Sequence, residues 1–148
     1  MAAQDQYLRL GLGEATFLLP SSASLAIEQR DTLTADDGTA GAVTAWRVSR
    51  SARWPAFHLD HNLRPVAHGD WQRAVFLESN PYPVGLIANE VQLLPRSAVK
   101  VEPFTPLGPP KTRNGHIFSG AWVDGLNVVL VFEPSALADY LHQLEGAR

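Results

Sequence analysis

The chain has 148 residues, 45% hydrophobic and 18% charged, with eleven glycines and eleven prolines, the composition of one folded, turn-rich domain. A net charge of −3 with dispersed basic residues argues against phosphate-backbone binding, and the lack of cysteine excludes disulfides, zinc–thiolate sites and thiol nucleophiles. No apolar run reaches the ~20 residues of a membrane-spanning helix, and Met1 to Tyr7 has no leader-like pattern, so a cytoplasmic chain without membrane insertion is expected.

Tyr7 to Leu12 alternates Tyr7 and Arg9 with Leu8, Leu10 and Leu12, Gly13-Glu14 is a turn, and Thr16 to Leu19 is apolar. This pattern predicts a hairpin with one half-exposed and one buried strand. Pro20-Ser21-Ser22 ends it, and Leu25 and Ile27 begin a further short strand or turn. Thr32 to Gly41 is a polar loop in which Asp36-Asp37 are solvated charges.

Val43 to Val48 and Trp54 to Leu59 read as strands joined by a tight connection at Ser49-Arg50-Ser51. In the second strand Trp54, Ala56 and His58 share one face, Pro55, Phe57 and Leu59 the other, and the proline predicts an edge or a bulge. Asp60 to Trp71 is irregular, with room for one helical turn.

Ala74 to Leu77 is a strand, Asn80-Pro81-Tyr82-Pro83 a turn, and Val84 to Ala88 a strand of the fully buried kind. Val91 to Leu94 continues the β pattern, Ser97 to Val101 is short and extended, and Thr105 to Arg113 is a proline-rich loop. Ile117 to Val123 and Leu126 to Phe132 flank Asp124-Gly125, the best hairpin signal in the chain. The one helix is terminal: Pro134 starts it, Gly146 stops it, and Leu137, Tyr140, Leu141 and Leu144 form one apolar face. Many short strands and one helix predict a mostly-β barrel or sandwich.

Four segments, taken in order, resemble the CheW-like family from about Tyr7 to Leu144. They are the opening hairpin YLRLGLGEATFLLP, the middle segment SRSARWPAFHLDHNL, the stretch AVFLESNPYPVGLIANEVQLLPRSAVKVEP and the closing HIFSGAWVDGLNVVLVFEPSALADYL. The resemblance implies a single domain over residues 6–146, after a flexible segment 1–5. Its fold would be two five-stranded SH3-like barrels packed on a shared core, with a short C-terminal helix. It also implies a non-enzymatic adaptor, without cofactor, metal or small-molecule substrate. Such an adaptor couples a chemoreceptor or other sensor to a histidine autokinase by binding the kinase's regulatory domain.

Residue by residue, Arg50 matches the family arginine implicated in kinase contact, and Pro55 and Leu59 match its proline and leucine. The departures are Val48 for an asparagine, Ser51 for a glycine, Ala45 for an earlier glycine, Arg53 for an apolar residue and Asn89 for an aspartate. Ser24 stands where a valine helps form the receptor-facing surface. Without glycine at Ser51 a left-handed turn is costly, so a different turn is expected. The implied partner-binding set is Arg50, Ser51, Arg53, Trp54, Ser24 and Asn89. A divergent adaptor of a pilus-linked or surface-motility chemosensory pathway, with changed partners, is the alternative.

The residues also admit two other functional classes. His58, Asp60, His61, His68 and Asp70 form the densest set of metal-ligating residue types, which an enzyme of metal-dependent hydrolysis would use, but their spacing fits no zinc motif. Trp46, Trp54, Trp71 and Trp122 could line the pocket of a sensory module, although large aromatics in a small β fold more often fill its core. Ser21, Ser22 and Ser119 lack a nucleophile elbow, and Gly11-Leu12-Gly13 is hairpin punctuation rather than a phosphate loop.

Overall fold

Strands follow one another along nearly the whole computed structural model, which describes residues 6–36, 41–66, 69–105, 108 and 116–145. In chain order they are β1 (Tyr7–Leu12), β2 (Ala15–Pro20), β3 (Ser24–Gln29), β4 (Thr34–Ala35), β5 (Ala45–Val48) and β6 (Arg53–His58). There follow β7 (Arg73–Leu77), β8 (Val84–Ala88), β9 (Val91–Leu94), β10 (Val101–Pro103), β11 (Phe118–Asp124) and β12 (Asn127–Phe132). Helix α1 (Pro134–Glu145) closes the fold.

The strands form two six-stranded sheets, ordered β10-β11-β12-β2-β1-β9 and β3-β7-β8-β6-β5-β4. In each, the two outermost strands are the halves of one chain segment broken by a 3-10 turn. Arg30–Thr32 separates β3 from β4, and Arg96–Ala98 separates β9 from β10. Counting each broken segment as one strand that crosses from edge to edge leaves five strands per barrel, as the resemblance implied. Each barrel also holds one parallel pair, β2 with β12 and β6 with β8. The topologies are therefore the same up to a permutation. The hairpin β1–β2 comes first in its barrel, whereas its counterpart β7–β8 comes last in the other.

Strand alternation sorts the apolar side chains into three clusters. Leu18, Val99, Val129 and Val131 fill the interior of the first barrel, with Tyr7 and Trp122 against them. Ala45, Ala56, Trp71, Ala74, Phe76 and Ile87 fill the second, with Trp54 beside them. The opposite faces meet in the shared core, where Leu10, Phe17, Phe57, Leu86 and Phe132 pack with Leu137, Ala138 and Leu141 of α1. Trp46 and Trp71 are thus core residues, and Trp54 and Trp122 are half-buried against core. β8 is buried along its whole length because it has a barrel interior on one face and the shared core on the other.

Several expectations are corrected. β6 is an interior strand between β5 and β8; Pro55 is accommodated because the parallel pairing with β8 begins one residue later, at Ala56. Asp60 to Leu63 forms a turn rather than a helical turn. The Asp60 carboxylate accepts from the N–H groups of Asn62 (2.8 Å) and Arg64 (3.0 Å), and Leu63 takes φ of 63°. Within 97–101 the first residues complete a 3-10 turn, and only Val101 is in a strand. In the last hairpin the loop is Gly125-Leu126, with Gly125 at φ 65° as its first residue, which suits a type II′ turn. Pro134 does start α1, and the Glu133 carboxylate accepts from the N–H of Ser135 at 3.0 Å. Gly146, residues 1–5 and most of the loop 105–113 lie outside the described residues.

Candidate functional site

The β5–β6 hairpin carries the three clustered arginines, and pairing decides what each can do. Arg47 stands opposite Trp54, and its guanidinium carbon lies 4.5 Å from the ring centroid. Trp46 stands opposite Pro55, so Arg53 reaches its ring on the diagonal, at 4.0 Å. These stacks lie on opposite faces of the hairpin, and each contributes about 0.5–1 kcal/mol. Two anchors hold the hairpin to the barrel: the Trp46 Nε1–H donates to Asp36 Oδ1 at 2.8 Å, so Asp36 is a bonded carboxylate rather than the solvated charge its loop suggested, and Arg47 Nε donates to Glu28 Oε2 of β3 at 2.7 Å.

Beyond the last pair, Val48–Arg53, the chain turns through Ser49-Arg50-Ser51-Ala52, closed by the Ser49 N–H on the Ala52 carbonyl at 2.9 Å. Among the described residues Leu63 is the non-glycine residue with positive φ, so Ser51 needs no left-handed backbone. Arg50 and Ser51 are exposed, and Arg50 has no hydrogen bond or ion pair with any described residue. Of three neighbouring cations, two are committed to tryptophan rings and one projects from a braced tip.

Ser24 opens β3 and pairs with Leu77, which pairs with Val84 at the start of β8. β6 runs parallel to β8, so Ser24 lies at the same end of the second barrel as Arg53 and Trp54. Asn89 follows β8 at the opposite end, roughly 16 Å away along the strand, where its N–H donates to the Gly11 carbonyl at 2.9 Å. The fold thus gathers Arg50, Ser51, Arg53, Trp54 and Ser24 at one end and leaves Asn89 at the junction of the barrels. Nearby apolar side chains are exposed: Leu25 by 48%, Ile27 by 44% and Val48 by 54%. They lie on the sheet face that elsewhere forms the shared core, at a margin that no described residue covers.

The histidine and aspartate residues disperse. His58 is buried, and desolvation, followed by the nearby Arg30 charge, holds its pKa below the ordinary histidine value. Asp60 is held below its ordinary value chiefly by the Arg64 N–H that it accepts. His61 is exposed beside Asn62, and Asp70 is exposed. Among the described residues no three histidine, aspartate or glutamate side chains are placed to hold a metal; His68 lies outside them.

Sequence reading missed a polar clamp between α1 and the β7–β8 turn. His142 Nε2 lies 3.0 Å from Ser79 Oγ, the Tyr82 hydroxyl donates to Glu145 Oε1 at 2.5 Å, and His142 Nδ1 is 3.9 Å from the same carboxylate. Burial and Glu145 push Tyr82 up to about 12. The order serine, histidine, carboxylate is that of a hydrolytic triad. However, 3.9 Å is too long for the hydrogen bond that would orient the imidazole, and Tyr82 already occupies Glu145. The i, i+3 spacing of His142 and Glu145 was legible; Ser79, 63 residues before His142, was not. Glu28 was likewise missed, because only barrel closure brings it to Arg47.

No protein-family model matches the chain, and no curated protein sequence is significantly similar to it. Among solved structures it is similar to the scaffolding protein TtCheW from Thermoanaerobacter tengcongensis, with TM-score 0.58 and 14% identity over 89% of this chain and 90% of that one. The chain therefore has a CheW-like fold, in a divergent sequence.

Proposed function

We propose that this CheW-like fold, a single domain over residues 6–146, is a cytoplasmic, non-enzymatic adaptor that links a receptor or sensor to a histidine autokinase. The observation that carries the reading is the unpaired Arg50 at the tip of a braced hairpin. Arginine presents several directed donors on a planar fork, and a tip already ordered by two stacks and an ion pair loses little freedom on binding. Trp54, Ser24 and the exposed Leu25 supply apolar and small surface at the same end of the barrel. A standard interface of about 800 Å² per partner would cover them. Among the described residues no helix is long and apolar enough to cross a membrane.

The turn through Ser51 favours one refinement. Serine stands at position 51 where the family has glycine, so the alternative partner is the kinase of a pilus-linked or surface-motility pathway rather than of a flagellar one. Calorimetric titration with the regulatory domains of the organism's histidine autokinases, wild type beside Arg50→Ala, tests both readings. Binding to one of them, weakened tenfold or more by Arg50→Ala, supports the adaptor and identifies its pathway. Binding that Arg50→Ala leaves unchanged removes the hairpin from the interface.

A further inference from the structure

The first barrel opens along its parallel seam. β2 and β12 pair only at Phe17–Leu130 and Leu18–Val131. Before that point β2 is held by β1 and β12 by β11. The edges of Ala15–Thr16 and Asn127–Val129 that face one another therefore have no strand between them. The opening is a cavity of about 440 Å³. Val129, from the barrel interior, lines it together with Phe17 and Leu130, from the shared-core side. Side chains from both faces of a sheet meet in one opening only where its strands part.

Arg9 lines the same cavity. It sits on β1 opposite Leu18, on the interior face, and its Nε is shut off from solvent with no hydrogen-bond partner among the described residues. Glu14 and Asp124 also line the opening, yet neither pairs with it. A guanidinium does not shed its charge, so the unmet donor is a ready seat for an acceptor brought from outside. At the rim Val128 is 64% exposed, paired with Val123 of β11 on one side and with no strand on the side toward β2.

We propose that this opening takes an extended segment of a partner protein as an added strand on the free edge of β12, with one aspartate or glutamate of the segment on Arg9. The backbone edge supplies the ladder, and Val128 supplies a seat for an alternate apolar side chain. The forked guanidinium at the base matches a carboxylate. Glu14 and Asp124 repel a run of acids, so the segment carries a single acid among neutral or basic residues. This surface belongs to the first barrel and is separate from the Arg50 tip on the second.

The test is selection of a random displayed peptide library on the full chain, followed by affinity and amide-shift measurements with the enriched peptides. The expected outcome is a β-patterned consensus with one acid, with shifts confined to Arg9, residues 15–17 and residues 127–129. Replacing that acid by its amide should weaken binding at least tenfold, Arg9→Gln should do the same, and Arg50→Ala should change nothing. The acid-to-amide comparison uses the unaltered protein, so it holds even where Arg9→Gln folds poorly. No enrichment, shifts elsewhere, or an amide peptide that binds as well as the acid overturns the proposal.

Discussion

Gly85 of β8 faces Phe76 of β7 across the sheet, and the phenylalanine ring lies over it. A Cβ at Gly85 would stand 2.7, 2.9 and 3.0 Å from three ring carbons. Ordinary contact begins at about 3.4 Å, so Gly85→Ala moves the ring by most of an ångström. Phe76 has no exposed surface, and its ring packs against Trp54 at a centroid distance of 5.9 Å. Trp54 in turn carries Arg47. The ring therefore has no free direction, and Gly85→Ala should destabilise the chain by about 2 kcal/mol, within the range for overpacked cores. Phe76→Leu leaves space instead, so the double variant should be more stable than the sum of the single effects by about 1 kcal/mol or more. Urea unfolding followed by circular dichroism gives all four stabilities, and tryptophan emission shows whether the Trp54 environment shifts. Additive effects, or a Gly85→Ala protein within about 0.5 kcal/mol of wild type, would show that the Phe76 ring is not confined over Gly85.

Three further outcomes are expected. His58 has a lowered folded pKa, so the unfolded chain takes up its proton first; stability is present above the ordinary value of 6.5 and should fall as pH drops below it. Arg30→Ala should shallow that fall, as pH-dependent urea midpoints will show. Tyr82 has a raised folded pKa, so its contribution is present below 10.0 and should be lost between pH 10.0 and about 12; Tyr82→Phe should remove that part of the alkaline loss, with Tyr140, also raised, accounting for some of the remainder. Leu141→Ala empties a fully buried site beneath α1 and should cost about 3 kcal/mol, whereas Gln143→Ala, on the exposed side of the helix, should stay within about 0.5 kcal/mol in the same unfolding assay.

Local patterning carried most of the fold. The alternation of Leu8, Leu10 and Leu12, the continuous apolar run Val84–Ala88 and the helical face of Leu137 and Leu141 each reflect a surface that the element itself buries. What the sequence did not reveal depends on closure. Pro55 looked like an edge residue because its sequence neighbours cannot show that β8 arrives in parallel 29 residues later. The exposed Leu25 and Ile27 match the pattern of a buried strand, and only the limited reach of the opposite barrel leaves them bare. The clustering of Arg47, Arg50 and Arg53 was visible, but their division into two stacked cations and one unpaired one required the cross-strand register. Arg9 read as the exposed half of an amphipathic strand; in a closed barrel that half faces an interior.

The adaptor reading rests on coupling, so the most direct measurement is kinase output in a reconstituted assembly. The autophosphorylation rate of whichever kinase the titration identifies is followed with its receptor in a membrane preparation, with wild type, with Arg50→Ala and without the chain. Receptor-dependent control of the kinase is expected only when wild type is present, with most of that control lost with Arg50→Ala. A kinase that answers to its receptor equally well without the chain would contradict the adaptor reading.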